Sequence, residues 1–186
     1  HPYINNCMFI PNVQKLEFKE SADIYTYIYE DAEVLNPILA EKIKAKGDCQ
    51  YRKTNVQANM TEWTMFRDPD FKKIIDFAIE VVQNGLEHLV GGKYEVTDCW
   101  GAVYQKGDSC KPHAHHPAIW SFVYYVQATP DDAPLVFPTS GNAIFPNPGL
   151  IAVFPGWVTH EVPLQKNDAE RIVIAGNLTI HRTQAE

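Results

Sequence analysis

The amino-acid sequence predicts an α+β fold with a mainly β core, and three observations support this class. Two segments within residues 1–92 repeat apolar residues at helical spacing. Several segments within residues 93–181 are short, apolar and rich in β-forming residues. These strands are closely spaced along the chain, and the connectors between them are rich in Pro, Gly or polar residues, which is typical of a sandwich or barrel. Because 186 residues fit one domain, we expect a single domain over residues 1–186, with a helical front half (1–92) and a β core (93–181).

The first predicted helix covers residues 35–46. Asn36 before Pro37 fits the cap and first-turn positions of a helix. Leu39 and Ile43 then lie one turn apart, as expected for an apolar face. The helix is expected to end at the glycine that follows.

The second predicted helix, residues 70–90, is the clearest. Asp68 before Pro69 again fits a cap and a first turn, and Gly91–Gly92 is the expected end. One face is predicted to be buried, and its residues are Phe71, Ile74, Ile75, Ala78, Val81 and Val82.

In the back half the apolar pattern changes to a period of two or to short apolar runs. We predict strands at residues 93–105, 119–127, 150–155 and 171–180. Polar or Pro- and Gly-containing segments connect them, which indicates turns.

Composition excludes several classes of protein. The formal net charge is −7, and nucleic-acid binding needs clustered Lys and Arg, so we expect no nucleic-acid partner. No apolar stretch reaches the length that spans a bilayer. The four cysteines form no Cys-x-x-Cys pair, and reduced thiols in a cytoplasmic setting are expected. The sequence leaves a homodimer open.

Three histidines carry the functional argument. His113 and His115 stand just before the apolar run at 119–127, and His160 stands just after the run at 150–155. In an extended strand residues i and i+2 point to the same side, roughly 6.6 Å apart, so two imidazoles can converge on one ion. His116 would then point the other way. Neutral imidazole is a good ligand for iron, zinc or copper, and His160 would complete the site if its strand lies beside the first.

Simpler interpretations stay open at this point. The segment HAHHP at residues 113–117 also fits a solvated loop, and His160 beside Trp157 also fits a packing histidine. Arg171 begins an apolar strand, where an inward-pointing guanidinium needs an anionic partner. On an edge strand it would instead face water.

The pattern resembles the iron(II)- and 2-oxoglutarate-dependent oxygenases, in their prolyl-hydroxylase-like branch and a bacterial and bacteriophage subgroup within it. Four pieces carry the resemblance, in the family's order over roughly residues 96–180. They are YQKGDSCKPHAH (Tyr104 to His115), WSFVYYV from Trp120, GLIAVFPGWVTH (Gly149 to His160) and RIVIAGN (Arg171 to Asn177). Each piece alone is weak evidence for the resemblance, whereas the four together are fairly specific to this family.

The resemblance implies a double-stranded β-helix, or jelly roll, with the N-terminal helices buttressing one sheet. It implies an iron(II) site, with 2-oxoglutarate and O2 as cosubstrates and a small-molecule or peptide substrate that is hydroxylated. His113 and His160 match the family's two histidines. Arg171 and Tyr104 match the residues that hold the far carboxylate of 2-oxoglutarate. Tyr125 and Asn177 are further candidates for the pocket wall.

One position departs from the family's usual pattern. The usual metal triad has two histidines and a carboxylate, and His115 stands in the place of the acid. The bacterial and bacteriophage subgroup is similar in carrying His-x-His. His115, His116 or a nearby acid, Asp108 or Glu161, therefore remain alternatives for the third ligand.

Two other functions remain open from the sequence. One is a cupin-like three-histidine dioxygenase that uses no 2-oxoglutarate. The other is a non-catalytic jelly-roll module whose histidines hold a structural metal. The substrate is not predicted. Residues 50–66 either cover the mouth of the barrel or form an ordinary surface loop.

Overall fold

The computed structural model describes residues 21–85 and 92–182. These ranges contain two helices, α1 (Ala32–Lys46) and α2 (Pro69–Gly85), with a short 3-10 turn at Met65–Arg67. The strands are β1 (Tyr25–Ile28), β2 (Val56–Gln57), β3 (Asn59–Met60), β4 (Gly92–Tyr104), β5 (Ser109–His113), β6 (Trp120–Gln127), β7 (Leu135–Phe137), β8 (Asn142–Ile144), β9 (Leu150–Pro155), β10 (His160–Val162) and β11 (Arg171–Arg182). The predicted class, helices beside a mainly β core, is confirmed.

The strands form two antiparallel sheets in a jelly-roll-like arrangement. The six-stranded sheet has the order β1-β9-β6-β11-β4-β3, and the five-stranded sheet has the order β2-β5-β10-β7-β8. β11 lies between β4 and β6, and its first residue, Arg171, is paired with Tyr104. Side chains alternate across this sheet, so residues i and i+2 of β11 face the same core.

Both helices pack on one face of the six-stranded sheet, as expected. Leu39 and Ile43 of α1 are buried against it. Gly101 of β4 allows this close contact, because a Cβ at that position would lie 2.5 Å from Ile43 Cγ1. The other face of the sheet packs against the five-stranded sheet, and this second core contains Tyr104, Tyr125 and Phe154. The helices thus stabilise the sheet from behind and leave its inner face for a cavity.

The predicted start of α1 is wrong. The helix begins at Ala32, and Pro37 lies inside it. Asn36 is buried, and its Oδ1 accepts a 2.7 Å hydrogen bond from the Tyr124 hydroxyl. Leu35 in the same turn is also buried. Packing of this turn on the sheet therefore outweighs the local preference of an Asn-Pro pair for a helix start.

The predictions for α2 hold over the residues that the structure describes. Asp68 Oδ1 accepts hydrogen bonds from the backbone N–H groups of Asp70 (2.8 Å) and Phe71 (3.4 Å), so it caps the helix. All six residues of the predicted apolar face are buried. Residues 86–91, which include the predicted end of the helix, lie outside the described ranges.

The four predicted strands are present as β4, β6, β9 and β11, and their ends differ from the prediction by two residues or fewer. The short strands β1, β2, β3, β5, β7, β8 and β10 were not predicted. Each has five residues or fewer, which is too short for a periodic pattern to be read. In the part of the chain that the structure describes, neither helix is long and apolar enough to cross a membrane.

Candidate metal centre and inner cavity

Two antiparallel strands of the five-stranded sheet bring two of the histidines together. His113 is the last residue of β5 and His160 the first of β10, and they are paired across the ladder. His115 lies two residues beyond the end of β5. Its backbone N–H donates a 2.7 Å hydrogen bond to the carbonyl of Gly156, which ties this loop to the segment before β10.

The three imidazoles form one compact group. One ring nitrogen from each of His113, His115 and His160 lies within 4.8 Å of the others. The ring centroids are 4.7 Å apart for His113–His115, 4.4 Å for His113–His160 and 5.1 Å for His115–His160. Three nitrogen donors at these separations suit a first-row transition metal.

Backbone carbonyls orient two of the rings. His113 Nδ1 lies 2.7 Å from the carbonyl oxygen of Lys111, and His160 Nδ1 lies 3.0 Å from that of Val158. A carbonyl can only accept, so Nδ1–H donates in both rings and Nε2 keeps its lone pair. A hydrogen bond of this kind from the far nitrogen is the usual support of a metal-ligating histidine.

Burial keeps the three rings neutral. Desolvation lowers the pKa of His115 to about 3 and that of His160 to about 4, and it also lowers the pKa of His113. Nearby imidazoles add to the effect at His115 and His160, since each would repel a charged neighbour. The group is therefore in its ligating protonation state at neutral pH.

His115 has a different neighbour from the other two. Asn177 Nδ2 donates to Asp98 Oδ2 at 2.8 Å, while its Oδ1 accepts from the Ser121 hydroxyl at 2.7 Å. A carboxylate only accepts, so these contacts fix the amide with its nitrogen toward Asp98. The same nitrogen lies 3.5 Å from His115 Nδ1. Nδ1 of His115 thus faces the amide N–H donor of Asn177, which favours the ring proton on Nε2. For Nε2 to bind a metal, this proton would have to move to Nδ1, where it would meet the amide donor.

The other candidates for a third ligand lie apart from the group. Within the described residues no carboxylate belongs to it. Asp108 is held in its turn, where it accepts from Arg52 Nη1 at 2.7 Å and from the Gln105 backbone N–H at 2.9 Å. Glu161 is paired with Val136 of β7, and His116 is exposed to solvent. The geometry leaves His115 as the neighbour of His113 and His160.

An inner cavity extends from the histidines into the core between the two sheets. It lies between the two sheets and is partly open to solvent. Its walls are mainly apolar, with Trp100 and Phe154 near the histidines and Tyr104 farther along β4. Burial raises the pKa of Tyr104 well above its usual range, so its hydroxyl stays protonated.

Arg171 is buried behind the wall that Tyr104 forms. Its side chain is 1% exposed, and its guanidinium carbon lies 4.7 Å from the ring centroid of Tyr104 and 5.2 Å from that of Tyr125. Among the described residues Nε and Nη1 of Arg171 have no hydrogen-bond partner, and neither has the Tyr125 hydroxyl. A buried cation with unpaired donors requires an anion that the described residues do not supply.

The residues that the sequence predicts for the site form two separate groups in the structure. His113, His115 and His160 lie together, and Tyr104, Tyr125 and Arg171 lie together. Asn177 contacts His115 and lies beside the histidines, away from Arg171. Asp98, Ser121 and Trp100 were missed. Trp100 lies an even number of residues before Tyr104 on β4 and therefore points to the same side of the sheet, so the strand alternation could have identified it. Nothing in the sequence marks Asp98 or Ser121.

Comparison with known proteins identifies solved structures with a similar fold. No protein-family model and no curated protein sequence matches the chain. A viral collagen prolyl hydroxylase from Paramecium bursaria Chlorella virus-1, solved as a 2-oxoglutarate complex, is similar in structure, with a TM-score of 0.65 and 16% identity over 83% of this chain and 94% of that one. A prolyl-4-hydroxylase from Pseudomonas putida gives a TM-score of 0.62 and 18% identity over 88% and 94%.

A more distant sequence has the same architecture. HygX from Streptomyces hygroscopicus, with nickel and 2-oxoglutarate bound, gives a TM-score of 0.59 and 8% identity over 84% of this chain and 82% of that one. At such identities the similarities establish the fold. The chain therefore has the fold of 2-oxoglutarate-dependent oxygenases, and the expected double-stranded β-helix is confirmed.

Proposed function

We propose that this chain is an iron(II)- and 2-oxoglutarate-dependent dioxygenase that hydroxylates a small-molecule or peptide substrate. The observation that carries the proposal is Arg171, a buried cation with two donors, Nε and Nη1, that have no partner among the described residues, in the same core as a three-histidine group. A histidine cluster alone fits many metal proteins. A cluster combined with an unpaired buried guanidinium fits a metal that works beside a dicarboxylate.

The donor set fits the metal. His113 and His160 present Nε2, since their Nδ1–H groups donate to backbone carbonyls. His115 would supply the third nitrogen after its proton has moved. Three neutral ligands bind a divalent ion more weakly than a triad with a carboxylate, because they leave the ion's charge uncompensated. We expect a functional but modest affinity for iron(II).

The buried donors fit the cosubstrate. A carboxylate accepts charge-assisted hydrogen bonds from a guanidinium, and either orphaned donor of Arg171, Nε or Nη1, is available for one. The Tyr125 hydroxyl, which also lacks a partner in the described residues, would donate a further one. The apolar cavity wall suits a short carbon chain between this end and the histidines.

When bound, iron(II) and 2-oxoglutarate supply the oxidative chemistry, in which O2 oxidises the substrate and 2-oxoglutarate is decarboxylated to succinate. The chain's own contribution is position and exclusion of water. His113 and His160 would hold the metal, Arg171 and Tyr104 would hold the far end of the cosubstrate, and the apolar walls would limit the water around it.

An anaerobic calorimetric titration with iron(II), and then with 2-oxoglutarate, tests the proposal directly. The wild-type chain should bind both, and His113→Ala and His160→Ala should each lose iron(II) binding. His116→Ala is the matched control, since His116 is exposed and lies outside the group. Retained binding in either of the first two variants, or its loss in the control, would contradict the ligand assignment.

A three-histidine dioxygenase without 2-oxoglutarate is the second candidate, because the group contains no carboxylate. That enzyme has no use for an unpaired Arg171, and its metal affinity would not respond to 2-oxoglutarate. Iron(II) binding with no 2-oxoglutarate binding in the titration would favour it. A single domain over the whole chain, a homodimer and a cytoplasmic location remain predictions.

A further inference from the structure

A second, open groove borders the metal centre on the side of Lys53 and Lys111. Its walls include Lys53, Asn55, Trp63, Lys111, His113 and His115. His113 and His115 therefore contact both the inner cavity and this outer groove. A molecule in this groove would lie against both His113 and His115 from outside, whereas a neighbouring groove lined by Asp98 reaches only His115 of the three histidines.

The groove is positively charged in an acidic protein. The chain has a net charge of −7, yet Lys53 and Lys111 line this groove and no acidic residue of the described ranges does. Most other lysines in those ranges are in ion pairs, namely Lys42, Lys44, Lys46, Lys72, Lys73, Lys93 and Lys106. Lys53, Lys111 and Lys166 form no ion pair with the described acids. Two of these three cations thus face the mouth of the metal centre.

An aromatic wall forms the other side of the groove. Trp63 is 37% exposed, and its ring centroid lies 4.7 Å from that of Trp100, with the planes nearly perpendicular. The Trp63 backbone is fixed to the sheet, because its carbonyl accepts a 2.9 Å hydrogen bond from the Cys99 N–H. Trp100 in turn lies 6.0 Å from the His115 ring. A flat apolar group packed on the exposed part of Trp63 would therefore lie next to the histidines.

We infer that this groove binds the substrate of the proposed oxygenase, and that the substrate is a small anionic molecule with a flat or apolar body. The inference rests on the proposed function. The anionic group pairs with Lys53 and Lys111, and the body packs on Trp63. The segment at residues 50–66 thus borders the mouth, which favours the first of its two sequence interpretations.

The test uses phenylacetate, phenyl phosphate and the neutral phenylacetamide as probes. Binding is measured by calorimetry on the protein saturated anaerobically with iron(II) and 2-oxoglutarate. Both anions should bind more tightly than the amide, and their relative affinities distinguish a carboxylate from a phosphate substrate. The double variant Lys53→Gln/Lys111→Gln should weaken the anions roughly tenfold, as expected for two exposed charge pairs, and leave the amide unaffected.

Controls separate the groove from the inner cavity. Lys166→Gln removes the third unpaired lysine and should leave the affinity for the anions unchanged. Trp63→Ala should weaken all three probes, and Trp63→Phe should restore most of their binding. Equal affinity for amide and anions, no binding of any probe, or no effect of the double lysine variant would overturn the inference. So would anion binding to the protein with iron(II) alone that 2-oxoglutarate displaces, since the probe would then occupy the inner cavity.

The experiment distinguishes failure of the proposed function from failure of this inference. If the protein binds no 2-oxoglutarate, the first stage of the titration reports it before any probe is added. The probes are then measured on the protein with iron(II) alone, and the lysine variants still decide whether the groove is an anion site.

Discussion

Arg171→Met should stabilise the metal-free, cosubstrate-free protein. Arg171 is 1% exposed, and its Nε and Nη1 have no partner among the described residues. Each unsatisfied buried donor costs roughly 1–3 kcal/mol, so the two cost about 2–6 kcal/mol. The rings of Tyr104 and Tyr125, at 4.7 and 5.2 Å from the guanidinium carbon, offset this by about 0.5–2 kcal/mol each. Methionine fills similar space without a charge.

The middle of these ranges gives a net gain of about 1.5 kcal/mol in the free energy of unfolding. For a chain of this size roughly 2–4 °C of melting temperature corresponds to 1 kcal/mol, so the variant should melt about 3–6 °C higher. Arg182→Met is the matched control, because it makes the same change at an exposed position of the same strand. It should change the melting temperature by less than about 2 °C, as surface substitutions usually do.

The same variant should lose its response to 2-oxoglutarate. Wild-type protein with iron(II) should gain about 2.7 kcal/mol at a cosubstrate concentration of 100 times Kd, and Arg171→Met should gain almost nothing. Differential scanning calorimetry with and without 2-oxoglutarate measures both effects. A lower melting temperature of the free variant would refute the reasoning, since Arg171 would then be a structural residue with a partner in the fold.

Three further predictions follow from the same groups. His115→Asp should raise iron(II) affinity in calorimetry, because a carboxylate compensates the charge of the ion; a lower affinity would mean that the imidazole is required. Tyr125→Phe removes a buried hydroxyl that has no partner among the described residues, so it should stabilise the free protein by about 1–3 kcal/mol and weaken 2-oxoglutarate binding. Tyr124→Phe, which loses a satisfied hydrogen bond, should cost about 1 kcal/mol in urea denaturation without affecting that binding. The pKa values of His113, His115 and His160 are lowered in the fold, the latter two to about 3 and about 4, so the unfolded chain binds protons first. The metal-free protein should keep its full stability above about pH 6.5 and lose roughly 1.4 kcal/mol per pH unit for each of His115 and His160 as the pH falls toward 4. A flat urea midpoint over that range would contradict the burial of the rings.

The sequence predicts this fold well where its patterns are long. The face of α2 and the strands β4, β6, β9 and β11 each repeat a pattern over six residues or more. The start of α1 was mistaken because local preference at Asn36–Pro37 is weaker than the packing of that turn on Tyr124. The short strands depend on partners far along the chain, as β5 depends on β10, and a short segment carries no sign of its partner.

In the candidate site, too, some residues could be predicted from the sequence and others could not. The residue types that bind metals and carboxylates could be found from spacing and resemblance, because His113, His115 and Arg171 stand in recognisable segments. Asp98 could not, since one acid on a strand has no distinctive pattern. Its effect on His115 passes through Asn177 and exists only because β4, β6 and β11 are adjacent.

In the proposed metal centre, the histidine at position 115 would also link the metal to the outer groove. A carboxylate triad with iron(II), Arg171 and doubly ionised 2-oxoglutarate would formally be neutral. With His115 as the third ligand instead, one positive charge would remain beside a groove that already has Lys53 and Lys111. An anionic substrate would compensate it at a short distance, where Coulomb energy is largest. His115→Asp should therefore weaken phenylacetate binding while it raises iron(II) affinity. If both affinities rise together, the charge of the metal centre does not contribute to substrate selection.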